Sequence, residues 1–261
     1  QSIIDRPKQS SPLNFLRYVL AIHGYRQSDS IFSGKLGSLR KSFKQKIDFV
    51  FIRAPHLVPP LESDEQEEPV AEGYGWWFNT EDHTFKATEP SNLSVGFEDS
   101  VALIEKTFHD FGPFDGILGF SQGAAFASIL CAMQQKKLTP IKFDFAVIIS
   151  GFKSLCEPHA YLYDEPVSLT TLHVYGETDR IIPTAMSTEL ADVFENKKIF
   201  THEGGHYIPG KKQIYADFIN EVFESNAVSI VTMQTTLKYL LLQDGSNVTF
   251  FKNVKDLNNV T

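Results

Sequence analysis

Short unbroken apolar runs alternate along this chain with longer stretches in which apolar residues return every three or four positions. Tyr18-Val19-Leu20-Ala21-Ile22 is the first run, ending at His23-Gly24-Tyr25. Ile47 to Ile52, Ile117 to Phe120, Phe145 to Ile149, Thr171 to Tyr175 and Lys198 to Thr201 repeat it at lengths suited to strands. Between them, Phe32, Leu36, Leu39 and Phe43 fall at helical spacing, with Lys35, Arg40, Lys41 and Lys44 on the intervening positions. Leu93, Phe97, Val101, Ile104 and Phe108 predict an amphipathic helix capped by Ser91 or Asn92. An Ala-rich run from Ala124 to Met133 predicts a buried helix. Pro183 opens another, carrying Met186, Leu190 and Val193, and Ile214, Phe218 and Val222 mark a closing one. Strand-helix alternation of this kind predicts an α/β fold over 16–225: a doubly wound, mostly parallel sheet with helices on both faces.

Two stretches depart from the alternation. The segment from Arg53 to about Ser91 is too long for an ordinary connection and carries the acidic run Glu62 to Glu68. Both tryptophans lie in it, in Gly73-Tyr74-Gly75-Trp76-Trp77-Phe78. Those aromatics either wall a pocket or bury against the core, and Trp76, Trp77 and Phe78 are taken as candidate substrate-pocket residues. Beyond about Ser225 the pattern fades. Residues 226–261 are read as a tail without an assigned role, in which Leu237 to Leu242 suits a short helix or strand.

Composition narrows the function. A net charge of -8 argues against nucleic acid or an anionic membrane as partner, since both need clustered Lys and Arg. Two cysteines, Cys131 and Cys156, make no disulfide framework. Gln1 to Pro12 is polar, and no run suits a signal peptide or membrane span. A cytoplasmic protein without stable membrane insertion is therefore expected.

Chemistry concentrates at Gly119-Phe120-Ser121-Gln122-Gly123, a G-x-S-x-G match set between a predicted strand and a predicted helix. A nucleophile on so sharp a turn needs almost no side chain two residues before and after it. The turn would leave the Ser121 hydroxyl exposed and aim the first helix N–H groups at whatever it attacks.

A histidine and an acid must follow. In a doubly wound sheet, sites form at the carboxyl ends of strands. Asp179 lies in the turn after the Thr171 strand and could receive a histidine N–H; Glu177 and Asp164 are rival acids, and Asp179 could instead cap the Pro183 helix. His202-Glu203-Gly204-Gly205-His206 matches H-E-x-x-H, the zinc-protease pattern, which needs both histidines on one helical face. Two adjacent glycines would cost such a helix about 2 kcal/mol relative to alanine, so the stretch is read as a loop without metal. His206, between glycines and Pro209, then becomes the candidate base. Ser121, Asp179, His206 is the chain order of the α/β-hydrolases. For the oxyanion hole the elbow offers the Gln122 N–H, and the loop after the first strand offers the Tyr25 N–H.

These residues resemble a known family. Ala21-Ile22-His23-Gly24-Tyr25, Gly119 to Ala125, Ile148-Ile149-Ser150-Gly151-Phe152, Val174 to Asp179 and Gly204-Gly205-His206-Tyr207-Ile208-Pro209 are similar, in order and spacing, to the serine hydrolase family of fungi and animals. The similarity runs from about Leu16 to Phe223, and Trp76-Trp77-Phe78 also matches an aromatic segment of that family. The resemblance implies an α/β-hydrolase with a Ser121/Asp179/His206 triad, no cofactor, and a small-molecule ester substrate with a medium to long alkyl acyl chain. An acyl thioesterase using the same triad and a non-catalytic binding module of this fold are the alternatives.

Overall fold

The apolar runs are the strands of one sheet in this computed structural model, which describes residues 16–59 and 72–224. The polar start Gln1 to Pro12, the acidic run Glu62 to Glu68 and the 226–261 tail lie outside those residues. In chain order the strands and helices begin with β1 (Arg17–Ile22), α1 (Asp29–Lys35), α2 (Gly37–Phe43) and β2 (Ile47–Ile52). The short strands β3 (His56–Leu57) and β4 (Tyr74–Gly75) form an antiparallel pair of their own. There follow α3 (Phe97–Phe111), β5 (Gly116–Phe120), α4 (Gln122–Gln135) and β6 (Phe145–Ile149). A 3-10 turn (Glu157–Tyr163), β7 (Thr170–Gly176), α5 (Thr184–Asp192) and β8 (Lys197–His202) complete the series, before a last helix over 213–224.

Six strands pair in the order β2-β1-β5-β6-β7-β8, and every pairing among them is parallel. The chain runs outward from β1 to β2, then returns to place β5 on the other side of β1. That reversal makes β1 and β5 the switch point of the sheet, where crossovers part and leave a crevice at the strands' carboxyl ends. β5 and β6 are buried along their whole length, which their uninterrupted apolar sequences require. β2 and β8 are the edges, and on β8 Lys197 and Lys198 put charge on a strand that another chain could otherwise extend.

Two helical expectations need correction. Phe32, Leu36, Leu39 and Phe43 are all buried, as their spacing requires, but one helix ends and the next begins at Leu36. Leu93 is not helical: α3 starts at Phe97, behind Gly96 at φ 81. Ser91 caps no helix; its hydroxyl donates to the Asn79 carbonyl and accepts the Leu93 N–H within a turn. Glycine at 96 supplies the left-handed backbone that stops helix growth upstream. Among the described residues, no helix is long and apolar enough to cross a membrane.

Burial also sets an acid limit. His23, His159 and His173 are buried, and loss of hydration pulls their imidazoles from the ordinary 6.5 down to about 4, 4 and 3 respectively. An unfolded chain therefore takes up protons below 6.5 that the folded chain refuses until about 4. Stability from these groups is complete above 6.5 and is lost as pH falls toward 4, by about 3 kcal/mol for His23 alone. We expect the thermal unfolding midpoint to drop steeply between pH 6.5 and about 4.5. A midpoint unchanged across that window would mean that the imidazoles are not held neutral.

Candidate active site

β5 ends in a turn so tight that Ser121 takes φ 54 and ψ -120, strained values for a residue with a side chain. Packing explains the flanking glycines. A Cβ at Gly119 would lie 2.3 Å from the Gly123 carbonyl oxygen, and one at Gly123 would lie 2.3 Å from the carbonyl oxygens of both Ile22 and His23. Main chain from β1, β5 and α4 meets here without room for a methyl group. The Ser121 N–H donates to the Ile149 carbonyl at 2.9 Å, tying the turn to β6.

His206 Nε2 lies 3.0 Å from Ser121 Oγ, and His206 Nδ1 lies 2.7 Å from Asp179 Oδ2. The other Asp179 oxygen accepts the N–H groups of Ile181 and Ile182, both at 2.9 Å. Thus Asp179 both meets His206 and braces the approach to α5. Its side chain is 1% exposed, which leaves the imidazole facing a fixed, almost dry carboxylate. Glu177 is held elsewhere, accepting from the Thr201 hydroxyl at 3.1 Å. Asp164 ends the 3-10 turn and is exposed.

The histidine segment is no helix. His202 ends β8, and 203–208 form a bent, irregular loop. Both ring nitrogens of His206 are engaged by Ser121 and Asp179, so the geometry that zinc ligation asks of H-E-x-x-H is not formed. Nor does the loop swing free. The Tyr215 hydroxyl donates to the Pro209 carbonyl at 2.9 Å, the Ser38 hydroxyl to that of Gly210 at 3.0 Å, and the Thr178 N–H to that of Gly204 at 3.2 Å. Phe120 lies under the imidazole, with ring centres 4.8 Å apart.

Tyr25 follows β1 at the switch point, and Gln122 opens α4 directly after Ser121. Neither backbone N–H has an acceptor among the described residues, so both are available to an incoming oxyanion.

Trp76, Trp77 and Phe78 do not line a pocket. Both indoles are 0% exposed and belong to the main core, with Phe126 5.2 Å from the Trp76 ring and Phe97 edge-on to the Trp77 ring. Phe78 is buried as well. A fully enclosed ring has no face left for a ligand. The large apolar side chains exposed beside the triad are Ile181, at 59%, and Tyr207, at 49%. Each sits within two residues of Asp179 or His206. Sequence reasoning passed over them because an isolated exposed apolar residue is ordinary until its neighbours are known.

Sheet order, elbow and strand-end residues define an α/β-hydrolase. The chain belongs to the serine hydrolase (FSH1) family, whose model matches residues 16–218. It is 45% identical over 238 residues to esterase GA18864 of Drosophila pseudoobscura pseudoobscura, covering 90% of this chain and 78% of that one. Against esterase OVCA2 of Xenopus tropicalis the identity is 45% over 215 residues, covering 78% and 92%. Among solved structures, maize acyl-protein thioesterase 2 aligns with a TM-score of 0.55 at 17% identity, covering 84% of this chain and 96% of that one, a likeness of fold. The protein is an enzyme of the serine hydrolase class.

Proposed function

We propose that the protein hydrolyses carboxylic esters through Ser121, His206 and Asp179. The observation that carries this reading is the unbroken hydrogen-bond chain from the Ser121 hydroxyl through the His206 imidazole to the Asp179 carboxylate. Ser121 Oγ attacks the acyl carbonyl carbon while His206 Nε2 takes the hydroxyl proton. Asp179 holds the ring in the tautomer that leaves Nε2 free, and stabilises the imidazolium that forms. Charge arriving on the carbonyl oxygen is met by the Tyr25 and Gln122 N–H groups. Collapse expels the alcohol, which receives the proton from His206, and water then repeats the cycle on the acyl-enzyme. No step needs a metal or cofactor. Relatives named esterases support the choice of ester over other acyl substrates. Cys131 and Cys156, both buried and unpaired, fit a cytoplasmic location.

A medium to long alkyl acyl chain remains the proposed preference, now resting on Ile181 and Tyr207 instead of the tryptophans. A methylene covered by such side chains adds up to ~0.8 kcal/mol, and less in an open cleft. On p-nitrophenyl esters, kcat/KM should climb from acetyl toward decanoyl, and Ile181→Ser should flatten the climb while sparing acetyl turnover. A flat wild-type series would remove the apolar rim from substrate choice. For the reaction itself, a fluorophosphonate probe should label the wild type stoichiometrically and leave Ser121→Ala unlabelled.

A further inference from the structure

Three buried polar contacts around the elbow converge on a segment that takes no part in the mechanism above. Gln122 is fully enclosed at the start of a mostly apolar helix. Its side-chain amide closes a reciprocal pair with the tryptophan main chain: Oε1 accepts the Trp76 N–H at 3.0 Å, and Nε2 donates to the Trp77 carbonyl at 2.7 Å. The Trp76 indole N–H, in turn, donates to the His23 carbonyl at 2.8 Å. Thus one dipeptide grips both the elbow helix and the loop after β1. Two further bonds tighten the second grip, the Arg26 N–H to the Tyr74 carbonyl at 3.0 Å and the Tyr74 N–H to the Gln27 carbonyl at 2.9 Å. His23 adds a lock of its own. Its Nδ1 lies 2.8 Å from the Gly24 carbonyl, and its Nε2 accepts the Ala54 N–H at 3.0 Å, so Nδ1 carries the proton.

We propose that Gln122, through its side chain, and Trp76, through its indole N–H, are positioning residues that set the spacing of the two oxyanion donors. The Gln122 N–H stands on the helix that the amide pair anchors, and the Tyr25 N–H stands two residues beyond the His23 carbonyl. Catalysis by such donors depends on where they point before charge develops, so a small relative shift is costly. Glutamine suits the role because it offers one donor and one acceptor to a peptide edge that presents one of each. A carboxylate there would face the Trp77 carbonyl with no proton to share, and a methionine would leave both main-chain groups buried and unpaired. The indole is likewise not interchangeable with a phenyl ring, which fills space but donates nothing. Trp76 and Trp77 are therefore core residues by burial with a function expressed through the site.

This inference rests on the Ser121 reading above. It is judged in a wild type whose turnover Ser121→Ala abolishes; if Ser121→Ala kept its turnover, the nucleophile assignment would fail, which is a separate result. The same helix supplies a matched control. Near its far end, Gln134 makes an equivalent pair with Phe143, accepting that residue's N–H at 2.9 Å and donating to its carbonyl at 3.0 Å. Gln122→Met, Trp76→Phe and Gln134→Met are compared on p-nitrophenyl butyrate and on an alkylboronic acid, whose adduct with serine places an oxygen where the oxyanion forms. Gln122→Met and Trp76→Phe should lose about 10- to 100-fold in kcat with KM within about threefold, and their boronate Ki should rise by the same factor as kcat falls. Gln134→Met should lower the unfolding midpoint, by less than Gln122→Met does because its pair is only partly buried, while keeping kcat and Ki within about twofold of wild type. End-point fluorophosphonate labelling counts the folded sites in each. Equal kcat in Gln122→Met and Gln134→Met, or a boronate Ki unmoved in both elbow variants, would overturn the proposal. If Gln122→Met yields no labelled protein, Trp76→Phe decides alone: wild-type kcat and Ki in that variant would overturn it.

Discussion

Ser121→Ala and His206→Ala should each lower kcat by about 10⁶-fold, and Asp179→Asn by about 10⁴-fold, when turnover of a p-nitrophenyl ester is followed under saturating substrate. The ordering follows from what each group does. Without Ser121 there is no nucleophile, and without His206 its proton has no acceptor at 3.0 Å. Asparagine at 179 keeps the shape but can offer its amide N–H to His206 Nδ1, which favours the tautomer with the proton on Nε2, facing Ser121. Because the three act as a unit, the Ser121→Ala/His206→Ala double variant should be little worse than either single. Residual turnover should still exceed the uncatalysed rate, since the Tyr25 and Gln122 N–H groups remain. Glu177→Gln should stay near wild type, its partner being the Thr201 hydroxyl. Near-normal turnover in Asp179→Asn together with its loss in Glu177→Gln would assign the acid to Glu177.

Gly123→Ala is the second large expected loss, though it adds only one methyl group. The added carbon would sit 2.3 Å from two backbone oxygens, those of Ile22 and His23, and backbone cannot rotate away as a side chain can. To fit it, α4 must move off the end of β1. That displacement separates Ser121 and Gln122 from the Tyr25 loop, the pair of surfaces the reaction needs in register. We expect at least a 10²-fold loss of kcat and about 1–3 kcal/mol of destabilisation, or more if the chain cannot relax. Gly34→Ala is the comparison, a helical glycine in α1 with open space where its Cβ would go. There alanine should be neutral or stabilising by up to about 1 kcal/mol. Parallel thermal unfolding and kcat measurements decide it. Wild-type turnover in Gly123→Ala would mean that the elbow has slack which these contacts deny.

How much of this was legible beforehand depended on the range of the interaction involved. The amino-acid sequence alone determined the strand and helix alternation, because burial periodicity is written residue by residue. It also determined the elbow, because the steric demand for glycine on either side of Ser121 acts over two residues. Both glycines beside His206 excluded a helix there for the same local reason. The start of α3 at Phe97 escaped, since Leu93 keeps the apolar spacing and the backbone turn at Gly96 overrides it. Only the tertiary structure decided which acid meets His206. Asp179 and Glu177 are two residues apart and chemically alike, and the selection lies in which one the loop after β7 turns toward Ser121. Only the tertiary structure, again, decided the fate of Trp76 and Trp77. An aromatic face gains from leaving water whether it meets a ligand or a core, so composition and spacing are the same for both outcomes. Contact across the fold separates them: Phe126 and Gln122 from α4, Phe97 from α3 and His23 from the loop after β1 enclose the two rings and bond the Trp76 indole and the backbone of both residues. No stretch of sequence around residue 76 contains that information, because the groups that settle it lie tens of residues away.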